Sequence, residues 1–427
     1  MKFDAIIIGA GAAGLAAARD LSSQGRRVCL VEARDRVGGR VLTQRVTDLP
    51  LPIELGAEFL HGGAPSTFAI VDAASLLAYQ LPDDHSWSER GEWTRLPDFW
   101  ERIGRLRAQI PGGRDTSFEA FLKTRRSLDA RQRSLACNFV EGYHAAHADR
   151  ISALALRSAD SETEDNRQHR IANGYDTVMN WLRAGIHPDR GELRLSTLVT
   201  AIDWRKGDVA VSTDRGETLR ARAVVITIPI GVWKAPAEQR GAIRFTPELR
   251  EKRDALAKLE IGHVVKVVFR FRSAFWDEFN FLHTADRYVP TYWTSAPARA
   301  PLVTAWAGGH AADALLAEGT DAMIDRALDS MASALRTKRR ELDGQFVAAY
   351  THDWQSDPLS RGAYSYAGVG GSGAHDRLAK PIQSTLFFAG EATSGDETGT
   401  VSGAIASGRR AAKQLLAVAP RKATRAR

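Results

Sequence analysis

Lys2-Phe3-Asp4-Ala5-Ile6-Ile7-Ile8-Gly9-Ala10-Gly11-Ala12-Ala13-Gly14 opens the chain, and Val28-Cys29-Leu30-Val31-Glu32 follows soon after. The apolar run Ala5 to Ile8 reads as a buried strand. It breaks into Gly9-x-Gly11-x-x-Gly14, after which Leu15 to Ser22 reads as an alanine-rich helix. The second apolar run, Val28 to Val31, ends in an acid. Each part has a physical role. Gly9 permits a tight turn out of the strand. Gly11 lets backbone come close to a pyrophosphate, and Gly14 lets helix and sheet pack closely. The helix start offers free N–H groups and the positive end of its dipole to phosphates. Glu32 lies 18 residues after Gly14, where an acid accepts hydrogen bonds from an adenosine ribose. Strand, turn, helix and second strand in this order, with the acid in place, predict a dinucleotide site.

The next residues narrow the ligand. Glu32-Ala33-Arg34-Asp35-Arg36-Val37-Gly38-Gly39-Arg40 resembles the extended motif of FAD-dependent oxidoreductases, in which the Gly-Gly-Arg turn also touches the diphosphate. The resemblance implies FAD rather than NAD. Arg40 can pair bidentately with a phosphate.

Length and composition set outer bounds. A chain of 427 residues suits two or three domains, and 44% hydrophobic residues fill a real core. There is no repeat and no apolar run long enough to span a bilayer. The dinucleotide motif starts close to Met1, leaving no room for a signal or transit peptide, so a cytoplasmic protein is expected. Two cysteines exclude a disulfide framework and a cysteine-based zinc site. Cys29 and Cys137 read as buried thiols of a reducing compartment. The net charge is +7, but Lys and Arg are scattered. Only the tail Arg421-Lys422-Ala423-Thr424-Arg425-Ala426-Arg427 is clustered, and it reads as a frayed basic terminus. No nucleic-acid partner is expected.

Further along, Ile53-Glu54-Leu55-Gly56-Ala57-Glu58-Phe59-Leu60-His61-Gly62 resembles a segment of the flavin-containing amine oxidases. That family comprises monoamine oxidases, polyamine oxidases and lysine-specific histone demethylases. There this backbone lies along the flavin ring, which implies cofactor contacts from Gly56, Ala57, Glu58 and Phe59. His61 falls where polyamine oxidases place a His or Glu at the substrate entrance. L-amino-acid oxidases carry an Arg soon after the Gly-Ala pair; Phe59 occupies that neighbourhood here.

From about Ala78 to Arg190 aromatic and charged residues mix at helical spacing. Phe99, Trp100, Ile103, Leu106 and Ile110 form one stripe, which Pro111-Gly112-Gly113 breaks. A mostly helical insertion is expected. His144 and His147 have i,i+3 spacing but no nearby third ligand in a zinc-like pattern, so they read as a polar helix end and no metal is expected. Asp160, Glu162, Glu164 and Asp165 read as a solvated acidic loop that can draw in a polycation. A helix is expected from Thr177 to Ala184. Leu193 to Val199 resembles the family strand whose Val meets the adenine. Val209 to Thr213 and Thr218 to Arg220 alternate as a hairpin. Ala223-Val-Val-Ile-Thr227-Ile-Pro229-Ile-Gly231-Val-Trp233-Lys234 resembles the segment in which the family chain crosses back to its substrate domain.

His263 to Phe271 reads as a strand. Period two puts Lys266 on one face with Val264 and Val268, and Arg270 and Arg272 should reach solvent. Unaided, a Lys between valines is a snorkelling side chain. The phrase resembles the family strand whose Lys holds a water against flavin N5, which implies that Lys266 assists reaction with oxygen. Tyr292 to Thr294 and Leu302 to Trp306 read as adjoining strands, Gly308-Gly309-His310 as a turn, and Ala322 to Leu335 as an amphipathic helix.

Trp354-Gln-Ser-Asp357-Pro358-Leu-Ser-Arg361-Gly362-Ala363-Tyr364-Ser-Tyr366 resembles the family segment whose tyrosine walls the amine site. That tyrosine is Tyr364, whose electron-rich face can contact an amine. Ala363 stands where monoamine oxidases have a Cys that bonds the flavin, so FAD should be non-covalent. Ser384 to Ser407 resembles the closing segment, with Glu391 as the ribityl or diphosphate contact. A helix starting near Thr400 should aim its N-terminus at the flavin N1–C2=O edge, stabilising negative charge there by about 0.3–1 kcal/mol. Thr400 replaces the second cage tyrosine of monoamine oxidases, which implies a roomier site with Thr400 against the substrate. The motifs imply further cofactor contacts from Ala13, Arg34, Gly39, Val199, Trp354, Gly390, Thr400 and Val401.

The implied fold is α/β. A doubly wound, Rossmann-like FAD domain would be assembled from residues 1–77, 191–234 and 381–427. An α+β substrate domain would come from 78–190, its helical part, and 235–380, its sheet part. The implied reaction is FAD-dependent oxidation of a polyamine or related primary or secondary amine. Hydride transfer to N5 gives an imine that hydrolyses to a carbonyl, and O2 becomes H2O2. No protein base is needed, so the lack of a catalytic triad is no objection. The partners are a small-molecule amine and O2, with no membrane, in a monomer or homodimer. Rival readings are an L-amino-acid oxidase, a flavin-dependent isomerase or desaturase, and a non-catalytic flavin-binding protein.

Overall fold

The run Phe3–Ile8 forms a strand buried along nearly its whole length, as an apolar run at the centre of a parallel sheet should be. The computed structural model describes residues 2–89, 91–158, 165–277 and 279–418. Around this strand stands an eight-stranded sheet. Its order is Gly191–Arg194, Val28–Val31, Phe3–Ile8, Thr218–Ile226, Asp208–Thr213, Val199–Arg205 and Arg244–Thr246; Leu386–Phe388 pairs alongside Thr218–Ile226. Phe3–Ile8 runs parallel to both of its neighbours. Helix Ala12–Ser23 buries its alanines and lies against the closing helix Val401–Val418. The approach is close: a Cβ on Gly408 would sit 2.2 Å from the Ala13 carbonyl oxygen.

A second, seven-stranded sheet has the order Phe346–Thr351, Val264–Phe271, Leu302–Gly308, Thr291–Thr294, Phe281–Thr284, His85–Glu89 and Glu92–Arg95. It is antiparallel except between Phe281–Thr284 and His85–Glu89. Lys266 stands opposite Trp306 in its register. Beside it pack helices Phe99–Ala108, Phe118–Thr124 and Ala130–Tyr143. Of the stripe, Phe99, Ile103, Leu106 and Ile110 are buried there as its spacing predicts, and Trp100 is only partly so.

Several expectations need correction. Residues 78–190 are not one helical unit, because His85–Glu89 and Glu92–Arg95 join the seven-stranded sheet. Their polar-flanked alternation, His85-Ser-Trp87-Ser-Glu89, is a strand period that the helical stripe after it obscured. Helix Asp176–Ala184 packs Val178, Met179 and Leu182 into the core with Ala5 and Ile7. Arg244–Thr246, past residue 234, extends the eight-stranded sheet by pairing with Val199–Arg205.

Leu193 to Val199 is not a single strand. Ser196 has φ +49°, and the Ser196 and Thr197 N–H groups turn aside to the Arg34 and Glu32 carbonyls at 2.7 and 2.9 Å. Gly308-Gly309-His310 is not a turn but the junction of a strand with helix Gly309–Leu316. Glycine is needed there because a Cβ on Gly308 would lie 1.8 Å from the Glu141 carbonyl oxygen. Arg270 is not simply in solvent; it pairs with Asp48. Cys29 is buried but Cys137 only partly so. Asp160, Glu162 and Glu164 of the acidic cluster, and the basic tail, lie outside the described residues. Among the described residues no helix is long and apolar enough to cross a membrane.

Candidate active site

A cavity of about 1740 Å³ lies between the two sheets. That exceeds the ~300–1,000 Å³ of a drug-sized pocket and leaves room for a dinucleotide plus a second ligand. Gly11, Ala13, Glu32, Arg34, Gly39 and Arg40 line one end; Lys266, Trp293, Trp306 and Tyr364 line the other.

At the first end the three glycines differ in use. Gly9 has φ +98°, a left-handed turn that favours glycine. A Cβ on Gly14 would lie 1.8 Å from the Gly9 carbonyl oxygen, so Gly14 serves packing. A Cβ on Gly11 would meet nothing nearer than the Gly38 oxygen at 4.0 Å. Gly11 therefore faces open space, at the uncapped start of helix Ala12–Ser23. Glu32 is buried, and its carboxylate accepts the Ala10 N–H at 2.6 Å and the Arg34 N–H at 2.8 Å. Burial pushes its pKa up against those two bonds. Two acceptor lone pairs remain for a ribose diol. Open space at the glycines, an uncapped helix start and a buried carboxylate along one wall fit FAD. Arg34 pairs with Asp357 at 2.8 Å, so its guanidinium anchors the Trp354–Arg361 loop beside the cavity.

In the middle, Gly56 is wedged: a Cβ there would lie 1.9 Å from the Arg40 oxygen and 3.2 Å from the Trp354 ring. Trp354 donates its indole N–H to the Leu55 carbonyl at 3.0 Å. Arg40 donates to the Ala363 carbonyl and to Glu391 at 3.2 Å. Glu391 is buried and also accepts the Ser365 hydroxyl at 2.7 Å. Ala57 and Val199 line the same wall, and Gly390, with φ +126°, turns the chain toward it. Thr400 lines the cavity too, but its hydroxyl is engaged with backbone. It accepts the Gly403 N–H at 2.9 Å and donates to the Glu397 carbonyl at 2.8 Å, fixing the start of the closing helix. Val401 is the first residue of that helix.

Lys266 is 4% exposed. Its ammonium pairs with Glu58 at 2.7 Å, donates to the Gly56 carbonyl at 3.2 Å and lies 5.7 Å from the Trp293 ring. Glu58 also pairs with Arg170 at 2.7 Å. Burial alone would raise the Glu58 pKa, but Lys266 and Arg170 outweigh it and hold the carboxyl below its usual range. Its stabilising contribution is therefore present above the unfolded carboxyl value and lost as pH falls through the lower folded one. Glu58→Gln is expected to destabilise the fold by about 3–5 kcal/mol, because it leaves two buried cations short of a counter-charge. Urea unfolding at neutral pH measures this.

The far end is aromatic. Phe59 meets Trp293, Phe281 and His61 with ring centroids 5.3–6.0 Å apart. His61 lies 5.1 Å from the Tyr143 ring, and its Nδ1 has no partner among the described residues. Burial pulls the His61 pKa down to about 4. Tyr364 donates its hydroxyl to the Tyr143 carbonyl at 2.7 Å. Its ring packs on Gly399, where a Cβ would come within 3.1 Å. Burial raises the Tyr364 pKa.

Sequence reading missed Arg170, Tyr143, Trp293 and Trp306 as members of this site. Arg170 sits in a four-residue strand that carries no motif. Trp293 and Trp306 stand on two successive strands that pair with each other, and Tyr143 reaches them from the end of helix Ala130–Tyr143, so only the folded arrangement shows that all three face one cavity.

Against this geometry stand the comparisons with known proteins. Residues 12–416 match the family described as flavin-containing amine oxidoreductases. A polyamine oxidase 3 of Oryza sativa subsp. japonica is 30% identical, aligned over 96% of this chain and 88% of its own. A polyamine oxidase 2 of Arabidopsis thaliana is 31% identical over 96% and 87%. A putrescine oxidase solved with putrescine superposes with a TM-score of 0.81 at 22% identity, covering 98% of this chain and 99% of its own; that likeness speaks to the fold.

Proposed function

This chain belongs to the flavin-containing amine oxidoreductases and is an FAD-dependent amine-oxidising enzyme; from that premise we propose that it oxidises a polyamine or a related primary or secondary amine, with O2 as the electron acceptor. FAD, held by Gly11, Glu32 and the start of helix Ala12–Ser23, would supply the redox chemistry, a two-electron oxidation at the carbon next to nitrogen coupled to reduction of O2 to H2O2. The observation that carries the reading is that one cavity joins the Gly11–Glu32 end to a buried lysine and an aromatic chamber.

The chain's own residues do five things. Gly11, Glu32 and the start of helix Ala12–Ser23 hold the nucleotide. Arg40 and Glu391 brace the wall between nucleotide and ring. Lys266, fixed by Glu58, places a buried positive charge where negative charge develops. Tyr364, Phe59 and Trp293 exclude water and offer ring faces to an amine or ammonium. His61, being neutral at physiological pH, contacts the substrate without carrying charge. Two cysteines left as free thiols support a cytoplasmic location.

Oxygen uptake and peroxide release with putrescine, spermidine, benzylamine and L-amino acids test the proposal. One peroxide per polyamine oxidised is expected; turnover of amino acids alone would overturn it. His61→Ala should raise KM for the amine while leaving the acid limb of the kcat/KM profile between pH 5 and 8 in place. A group that titrates near 4 is already neutral across that window. A shift of that limb would contradict the assignment.

A further inference from the structure

His147, His263 and Asp313 come from three separate elements and meet at one point. His147 follows helix Ala130–Tyr143, His263 immediately precedes strand Val264–Phe271, and Asp313 sits on helix Gly309–Leu316. Their ligating atoms all lie within 4.8 Å of one another. Asp313 turns one carboxylate oxygen to each ring, Oδ2 to His147 Nε2 at 2.8 Å and Oδ1 to His263 Nδ1 at 2.6 Å. We propose that these three residues form a site for one divalent transition-metal ion of the Zn²⁺ kind, set behind the wall of the substrate chamber.

The donor set suits such an ion. Two imidazoles and one carboxylate give three ligands and leave a fourth, tetrahedral position for water. Imidazole selects Zn²⁺, Ni²⁺ or Cu²⁺ over Mg²⁺ and Ca²⁺. The surroundings orient the ligands. His147 Nδ1 lies 3.3 Å from the Tyr366 hydroxyl. With the ring proton on Nδ1, Tyr366 accepts it and the lone pair of Nε2 turns toward Asp313, the outer-shell arrangement that metal-bound histidines use. His263 makes the matching change by carrying its proton on Nε2. His147 is buried, whereas Asp313 and His263 are 44% and 34% exposed at the side chain, which gives the ion a way in. His310, whose ring is 4.9 Å from that of His147, pairs with Glu141 at 2.7 Å and Asp149 at 3.3 Å. These carboxylates add a negative field that favours a cation.

The site is structural rather than catalytic. None of the three ligands lines the flavin cavity, but Tyr143, His144, Val264 and Tyr366 beside them do. The His263 N–H donates to the Ala145 carbonyl and its carbonyl accepts the Gly309 N–H, both at 3.0 Å. The next residue back, Gly262, donates to the Tyr364 carbonyl at 2.8 Å. An ion here clips together the backbone that carries Tyr143 and Tyr364.

The test uses the full, FAD-loaded chain without a histidine tag, stripped by chelator and titrated with ZnCl2 or MgCl2. Calorimetry should show one Zn²⁺ per chain, with Mg²⁺ at least ~100-fold weaker, and Tm should rise until one equivalent is bound. Asp313→Asn and His263→Gln should each weaken Zn²⁺ binding at least about 10-fold, as should Tyr366→Phe. Both ligand positions are partly exposed, and an unchanged flavin spectrum reports that each variant is folded. Zn²⁺ binding no tighter in the parent than in these variants, or no binding by the parent, would overturn the site.

Discussion

Lys266→Met is expected to leave FAD bound and to slow reoxidation of the reduced cofactor by oxygen by about 10²-fold or more, the usual effect of removing one preorganised charge from a water-excluded site. The fold should survive. Met fills a similar volume between Val264 and Val268, and Glu58 keeps its 2.7 Å pair with Arg170 and the Trp293 indole N–H at 3.2 Å. The loss should therefore appear in the oxidative half-reaction rather than in cofactor content. Stopped-flow mixing of the pre-reduced protein with oxygenated buffer separates the two. An unchanged reoxidation rate would remove Lys266 from the mechanism and return it to the snorkelling lysine that its sequence alone also allows.

Gly11→Val is expected to abolish FAD binding while leaving the fold intact, and Gly14→Ala to do damage of a different kind. The Gly11 backbone, at φ −75°, is open to any L-residue, and a side chain there enters the space reserved for the diphosphate. Its variant should purify as a colourless, folded protein. At Gly14 a Cβ would sit 1.8 Å from the Gly9 oxygen. The strand and helix must then separate, at about 1–3 kcal/mol or more, and Tm falls before cofactor content is in question. Circular dichroism melts with flavin absorbance distinguish the two variants. A yellow Gly11→Val protein would contradict the placement of the nucleotide.

The nucleotide end was legible because its chemistry is local. The strand, glycine turn, helix and Glu32 lie within a few dozen residues, and each spacing has a steric or hydrogen-bond reason. Lys266 and Tyr364 were legible only through resemblance, since period-two alternation places a lysine on a face without saying what that face meets. Glu58 shows the limit. The sequence placed it among cofactor contacts, but its strongest interactions are with Lys266 and Arg170, residues far along the chain that the seven-stranded sheet and the strand Gln168–Ile171 deliver. His147 is a second case. Its local partner, His144, is not in the cluster; His263 and Asp313 are, and no i,i+3 rule finds ligands held by three elements. Thr400 differs again: its type fitted a substrate contact, but a threonine just before a helix also caps it, and the hydroxyl is turned to that use.

A single cavity that holds FAD and presents it to an amine must let that amine reduce the flavin directly. The most direct test mixes the FAD-loaded protein with putrescine or spermidine in the absence of oxygen and follows the visible flavin absorbance. Bleaching by the amine, and return of the colour when oxygen is admitted, is the predicted result. A flavin that stays yellow under every amine tried, or a protein that takes up no FAD, would contradict that arrangement.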